Sequence, residues 1–304
     1  MTENRHFNPD SFAEVFAFSD EIDAFIAASL EEFNKRRIKL FDLPAYQRIF
    51  LFILTRSIKT FSSVIILCRS GFGQDVATLM RSLLENLITA RYIVHDKSTA
   101  NTLAKRFVAY KWVIFKRQLP EQELAARHGS DSDKNTFLER KNMVLGKVQE
   151  FREEFDITSD RALITWSGKS VRDMARKVNR TLLDEYEKTF RLCSRFSHPS
   201  ILGDNEYLIQ NDNQLTFSPQ PSAIGIVSNL ENAIAYALDF LSVTDELFQL
   251  GQREQIDRLL KKSAEVFKRA AAQDRSAESL PTKPPSPSIR DTIVTFQKPN
   301  NPKG

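Results

Sequence analysis

Apolar residues recur along most of the chain at intervals of three and four, the spacing that gathers them on one side of a helix. The first such stripe is Phe12, Val15, Phe16, Ile22, Phe25, Ile26 and Phe33. It opens near Asp10 as an N-cap and ends in the polar run Asn34-Lys35-Arg36-Arg37. A second helix is predicted from Pro44, which suits a first turn, to the Ser70-Gly71-Phe72-Gly73 break. A third covers about residues 75–95 on a stripe of Leu79, Leu83, Leu84, Leu87, Ile88 and Tyr92. A fourth, capped by Ser98 or Thr99, carries Leu103, Phe107, Trp112 and Phe115.

The middle of the chain is less regular. Leu119 to Asn135, with Pro120, Gly129 and a Ser/Asp cluster, reads as an irregular loop. A charged helix follows from Thr136 to about Phe155, and Ser170-Val-Arg-Asp173 has the form of a helix start. Thr181 to Ser197 reads as a helix that Pro199 ends, because proline drives the preceding residue out of the α region. Tyr207 to Gln210 and Gln214 to Phe217, around Asn211-Asp212-Asn213, predict one β-hairpin with Tyr207, Ile209, Leu215 and Phe217 alternating. A long helix is predicted from Pro221 to Gly251, and a more charged one from Gln252 to about Gln273.

The expected fold class is therefore all-α: a multi-helix bundle with one small β-hairpin insertion and a disordered C-terminal tail. The bundle body would occupy residues 1–250 with the hairpin near 206–218, the charged helix 251–275, and a proline-rich tail 276–304. That tail holds six of the chain's 12 prolines and has little to bury. Composition agrees with helices. Only 9 of 304 residues are glycine, too few for many tight β-turns, while 23 phenylalanines supply large buried areas.

Charge narrows the partners. Of the net +4, the segment from Gln252 onward carries eleven Lys and Arg against six acids, a surplus of five. The preceding body is left at −1, so a basic-protein argument for nucleic acid applies only to the C-terminal segment. Ile49 to Cys68 is the most apolar stretch, but Arg56 and Lys59 lie within it. Spanning a bilayer would cost roughly 2.5–3.5 kcal/mol for each cation. At 100° per residue Arg48, Thr55, Arg56, Lys59, Thr60 and Ser63 share one face, while Phe50, Ile53, Leu54, Ile58, Phe61, Val64 and Ile65 share the other. A core helix of a soluble protein is expected, with no membrane partner. Cys68 and Cys193 both sit in apolar helical patterns and read as core thiols. With no signal peptide in Met1 to Asp10, a cytoplasmic location is expected.

Motifs that would fix a chemistry are absent. Gly168-Lys169-Ser170 imitates the end of a phosphate loop, but the required earlier glycine is Leu163. His6, His95, His128 and His198 have no second ligand at a helical interval, and no Glu-x-x-His pair occurs, so neither a metal nor any other cofactor is expected. Two stretches stand out. Arg81 and Glu85 are four apart beside the leucine stripe of the third helix. Arg191, Ser194, Arg195 and His198 converge where Pro199 ends a helix, and facing these cations would compensate Glu85 inside the bundle.

The series Gly73-Gln74-Asp75, Met80-Arg81-Ser82-Leu83-Leu84-Glu85, Tyr92, Trp166, Tyr186, Ser194 and His198-Pro199-Ser200 resembles a bacterial family of helical proteins of unknown function. The resemblance spans about residues 55–200. It implies an α-bundle in which the Arg-x3-Glu helix approaches the histidine end of another, with Arg81, Glu85, Tyr92, Trp166, Tyr186, Ser194 and Arg195 as binding residues. A looser resemblance links Arg191 and His198, with six residues between them, to helical ribonucleases with an Arg-x4–6-His motif, although Leu192 departs from it. That chemistry would place His198 on a ribose hydroxyl or leaving oxygen and Arg191 on phosphate charge, in a homodimer acting on RNA. The first expectation is a binding or regulatory module with a polar pocket, taking a protein or small-molecule partner. The metal-independent ribonuclease is its alternative.

Overall fold

The computed structural model describes residues 7–190, 193, 208–211, 214–217 and 220–278. Their helices are α1 (Ala13–Lys35), α2 (Ala45–Arg69), α3 (Ala77–Val94), α4 (Ala100–Ala109), α5 (Lys111–Arg127), α6 (Asp131–Glu154), α7 (Val171–Val178), α8 (Arg180–Glu185), α9 (Ile226–Phe248) and α10 (Arg253–Glu278). A π-helical turn, Tyr186–Phe190, continues α8. The chain forms two compact units. The first comprises residues 1–37, 55–87 and 185–304, the second 38–54 and 88–184.

In the first unit, α1 packs on α9 and α10, and the apolar stripes read from the sequence face inward. Phe18, Ile22 and Ile26 of α1 are buried, as are Leu230, Ile234, Phe240 and Leu241 of α9 and Ile256, Leu259 and Phe267 of α10. Phe18 meets Phe267 edge-on at 6.4 Å, and Phe33 meets Phe248 at 4.9 Å. Such edge-to-face pairs add about 0.5–1.5 kcal/mol beyond the area they bury. Arg36, just past α1, donates from Nη1 to the carbonyl of Phe248 at 2.6 Å and from Nη2 to that of Gln249 at 2.9 Å. It thereby satisfies carbonyls that the C-terminus of α9 leaves without helical partners.

α2 is long and apolar enough to cross a membrane by length and composition. It is two-faced: Phe50, Ile53, Leu54, Phe61, Val64 and Ile65 are buried, whereas Thr55, Arg56, Lys59 and Ser63 are exposed. Both cations lie on the outer face, in company with Phe52 and Ile66.

In the second unit, α5 and α6 form a helical hairpin. Tyr110, Val113, Val148, Phe151, Ile157 and Leu163 make its core. The irregular loop expected from Leu119 to Asn135 is not present. α5 runs through Pro120 to Arg127, and only 128–130 separate it from α6. The cause is local: Ser130 and Asp133 form a capping box, with Ser130 Oγ accepting from the Asp133 amide and the Asp133 carboxylate accepting from the Ser130 amide at 2.8 Å. A Ser/Asp cluster thus starts a helix that composition read as loop. The predicted fourth helix is likewise two, α4 and α5, joined at Tyr110. The helix start at Ser170 is present, its Oγ accepting from the Asp173 amide at 3.1 Å.

Two four-residue strands, β1 (Leu208–Asn211) and β2 (Gln214–Phe217), pair only with each other. A β-hairpin insertion in the bundle is nevertheless not supported, and the expected fold class is corrected to all-α without it. The register sets Ile209 opposite Thr216 and Leu215 opposite Gln210. Two strands of four residues with no further strand beside them among the described residues make no sheet that could form a core layer, and a two-stranded ribbon of this length is marginal on its own.

Candidate functional site

The first unit's polar cluster is built on three segments. α3 contributes Arg81 and Glu85, one turn apart. Arg81 donates from Nε to Glu85 Oε1 at 3.0 Å, and the two side chains are 31% and 36% exposed. The expectation that Glu85 lies compensated inside the bundle is therefore not met: the pair sits at the edge of the core.

The second segment is the end of α8. A regular helix was expected from Thr181 to Ser197; instead α8 stops at Glu185 and a π-turn takes over through Phe190. π-turns are rare and recur at functional positions. Within this one, Tyr186 and Phe190 stack at 4.7 Å, and the Arg81 guanidinium lies 4.2 Å from the centre of the Phe190 ring. Arg81 is thus held by a carboxylate in its own helix and by an aromatic face from another.

The third segment is the middle of α9. Tyr236 is buried, and its hydroxyl lies 3.0 Å from Thr189 Oγ1 and 3.4 Å from Glu185 Oε2. Burial, with the Glu185 charge beside it, drives the phenol well above its ordinary range, so Tyr236 is a neutral donor. Cys193 is also buried. Burial raises its thiol to about 11, with Arg81 opposing as the smaller effect. Such a thiol is not an activated nucleophile.

The residues singled out from sequence divide among these places. Arg81, Glu85 and the Tyr186 segment meet in the first unit. Tyr92 and Trp166 belong to the second, where their rings meet at 5.9 Å. Arg191, Ser194, Arg195 and His198 lie outside the described residues. Sequence reasoning missed Glu185, Thr189, Phe190 and Tyr236. The recurrence of Glu185, Thr189 and Cys193 every four residues was a usable signal, because it aligns polar groups on one side of a helix. Tyr236 offered none, standing among the buried apolar residues Ala233, Ile234, Ala237 and Leu238 of α9. Among the described residues no group of three His, Cys, Asp or Glu converges as a metal site.

Comparison with known proteins matches residues 47–215 to the model of a family of unknown function, DUF5677. That match contains both Arg81-x3-Glu85 and the π-turn. No curated protein and no solved structure matches the chain.

Proposed function

The chain belongs to this family of unknown function, so its role has to come from its own side chains, and we propose a small-ligand-binding module whose site is the Arg81 face of the first unit. One observation carries the reading: among the described residues Arg81 is bonded to Glu85 through Nε alone, while its guanidinium lies over the Phe190 ring. An arginine pinned in this way presents its terminal N–H groups as a pre-set fork for a carboxylate or phosphate, with little entropy left to lose on binding. The π-turn supports the same reading, since it holds Phe190 under the guanidinium and ties Thr189 to Tyr236. The ligand is a small anionic metabolite. Neither Tyr236 nor Cys193 is tuned for proton transfer or attack near neutral pH, which favours binding over catalysis.

The test is native mass spectrometry of the purified chain for co-purifying metabolites, followed by thermal-shift titration of any compound found. Binding by the parent chain and at least tenfold weaker binding by Arg81→Met are expected. Equal affinity in the two proteins overturns the proposal. RNA cleavage abolished by His198→Ala would replace it with the metal-independent ribonuclease.

A further inference from the structure

The second unit holds a cation that lacks the partner such a group ordinarily has. Arg106, on α4, is partly buried, and its Nε is sealed from solvent with no hydrogen-bond acceptor. No carboxylate among the described residues forms an ion pair with it. Burial lowers its pKa, and the opposing influence comes from the Tyr92 phenol, not from an acid. Its neighbours are aromatic. The Phe155 ring centre lies 6.0 Å from the guanidinium carbon. Phe107, the next residue on α4, meets Trp166 edge-on at 5.2 Å, and Trp166 meets Tyr92 at 5.9 Å.

Desolvating a guanidinium without a counter-charge or acceptor is costly, and folded chains usually leave such groups paired. A cation–π contact at 6.0 Å, the outer limit for such contacts, offsets only a small part of that cost. The outer end of the side chain reaches the turn at Gly168. Gly168 is exposed, and a Cβ built on it would stand 3.2 Å from Arg106 Nη2. Gly168 also has φ +69°, a conformation that favours glycine. The turn that suits glycine thus also leaves Nη2 uncovered by any side chain at position 168. The cation is sealed at Nε, has the side-chain-free turn of Gly168 beside Nη2, and has the Phe155 ring next to it.

We propose that the second unit carries a binding site for a planar organic oxyanion, with its oxygens on the Arg106 guanidinium and its ring against Trp166. Arginine's rigid fork matches two oxygens of a carboxylate or phosphate, and an aromatic wall selects a ligand with a flat apolar body over a bare ion. This site is independent of Arg81, which lies in the other unit.

Trp166 supplies the readout. The chain has two tryptophans, so Trp112→Phe leaves Trp166 as the only tryptophan, excited selectively at the red edge of its absorption. The full-length Trp112→Phe protein is titrated with benzoate, phenyl phosphate, acetate and inorganic phosphate. A saturable change in Trp166 emission with benzoate or phenyl phosphate is expected, at least tenfold weaker or absent with acetate and inorganic phosphate. Preference between the two aromatic probes distinguishes a carboxylate from a phosphate ligand. Adding Arg106→Met, which keeps an apolar stem, should weaken the aromatic probe at least tenfold, whereas adding Arg81→Met should not. Circular dichroism establishes that each variant is folded, and Arg106→Lys gives a second reading by keeping the charge and losing the fork. The proposal is overturned if no probe saturates, if bare ions bind as well as aromatic ones, or if the folded Arg106 variants bind like the parent.

Discussion

The Tyr236 hydroxyl lies 3.0 Å from Thr189 Oγ1, joining the middle of α9 to the π-turn. Both groups are buried, so neither can replace the other with water. Tyr236→Phe would leave Thr189 without this partner and should cost about 1–3 kcal/mol of stability. Chemical denaturation measures this directly. A loss under about 0.5 kcal/mol would mean that the hydroxyl pair contributes nothing net and that the π-turn is held by packing alone.

How far the site was legible before the fold follows from the kind of signal each residue carries. Arg81 and Glu85 were legible because an i,i+4 pair follows from helix geometry alone. Phe190 and Tyr236 were not, because their roles depend on which helices meet and on a switch from α to π that no single residue between Glu185 and Phe190 announces. The helices themselves were legible from apolar spacing, α9 most plainly. The stretch from Leu119 to Asn135 misled because Pro, Gly, Ser and Asp occur both in loops and at helix starts. Only the reciprocal Ser130–Asp133 contacts decide between those uses.

Glu85 separates binding from stability. Were the Arg81–Glu85 pair sealed in the core, losing one partner would cost roughly 3–5 kcal/mol. Both side chains are about one-third exposed, and solvent screens the charges. Glu85→Ala should therefore lose less than about 1 kcal/mol. It should still weaken the anion affinity proposed for Arg81, because Nε is then no longer fixed. Paired urea and ligand titrations check both halves.

The thiols predict an alkaline limit. Burial raises Cys68 to about 12 and Cys193 to about 11, from an ordinary 9.0. Folding thus favours the protonated thiols. Their contribution to stability is complete below about pH 9, where both states are protonated. It declines as the unfolded chain loses protons, and is gone above the folded values. At pH 8 both cysteines should resist a thiol-specific disulfide reagent in the native protein and react fully in denaturant. Cys68→Ala and Cys193→Ala should each flatten the fall in melting temperature between about pH 9 and 11. Rapid native labelling at pH 8 would contradict the burial of these residues.

Gly73 is held to glycine by space, not by backbone angle. Its residue stands where the chain leaving α2 passes the start of α9, and Asn229 donates to its carbonyl at 2.9 Å. A Cβ there would lie 2.6 Å from the carbonyl oxygen of Ile224 and 2.7 Å from the amide nitrogen of Ile226. These are backbone atoms, so no rotamer change relieves the clash. Gly73→Ala must instead push the N-terminus of α9 away, which strains the Asn229 bond and disturbs buried Ile226 and Leu230. The expected loss is about 1–3 kcal/mol, the range for forcing extra volume into a packed site. Gly146 provides the control, since a Cβ there meets nothing within 4 Å and the residue lies inside α6. Gly146→Ala should stabilise by up to about 1 kcal/mol, because alanine replaces glycine in a helix interior. Opposite signs for the two glycine-to-alanine changes are the expected result in denaturant melts. Equal effects would show that α9 does not approach Gly73 as closely as the backbone distances require.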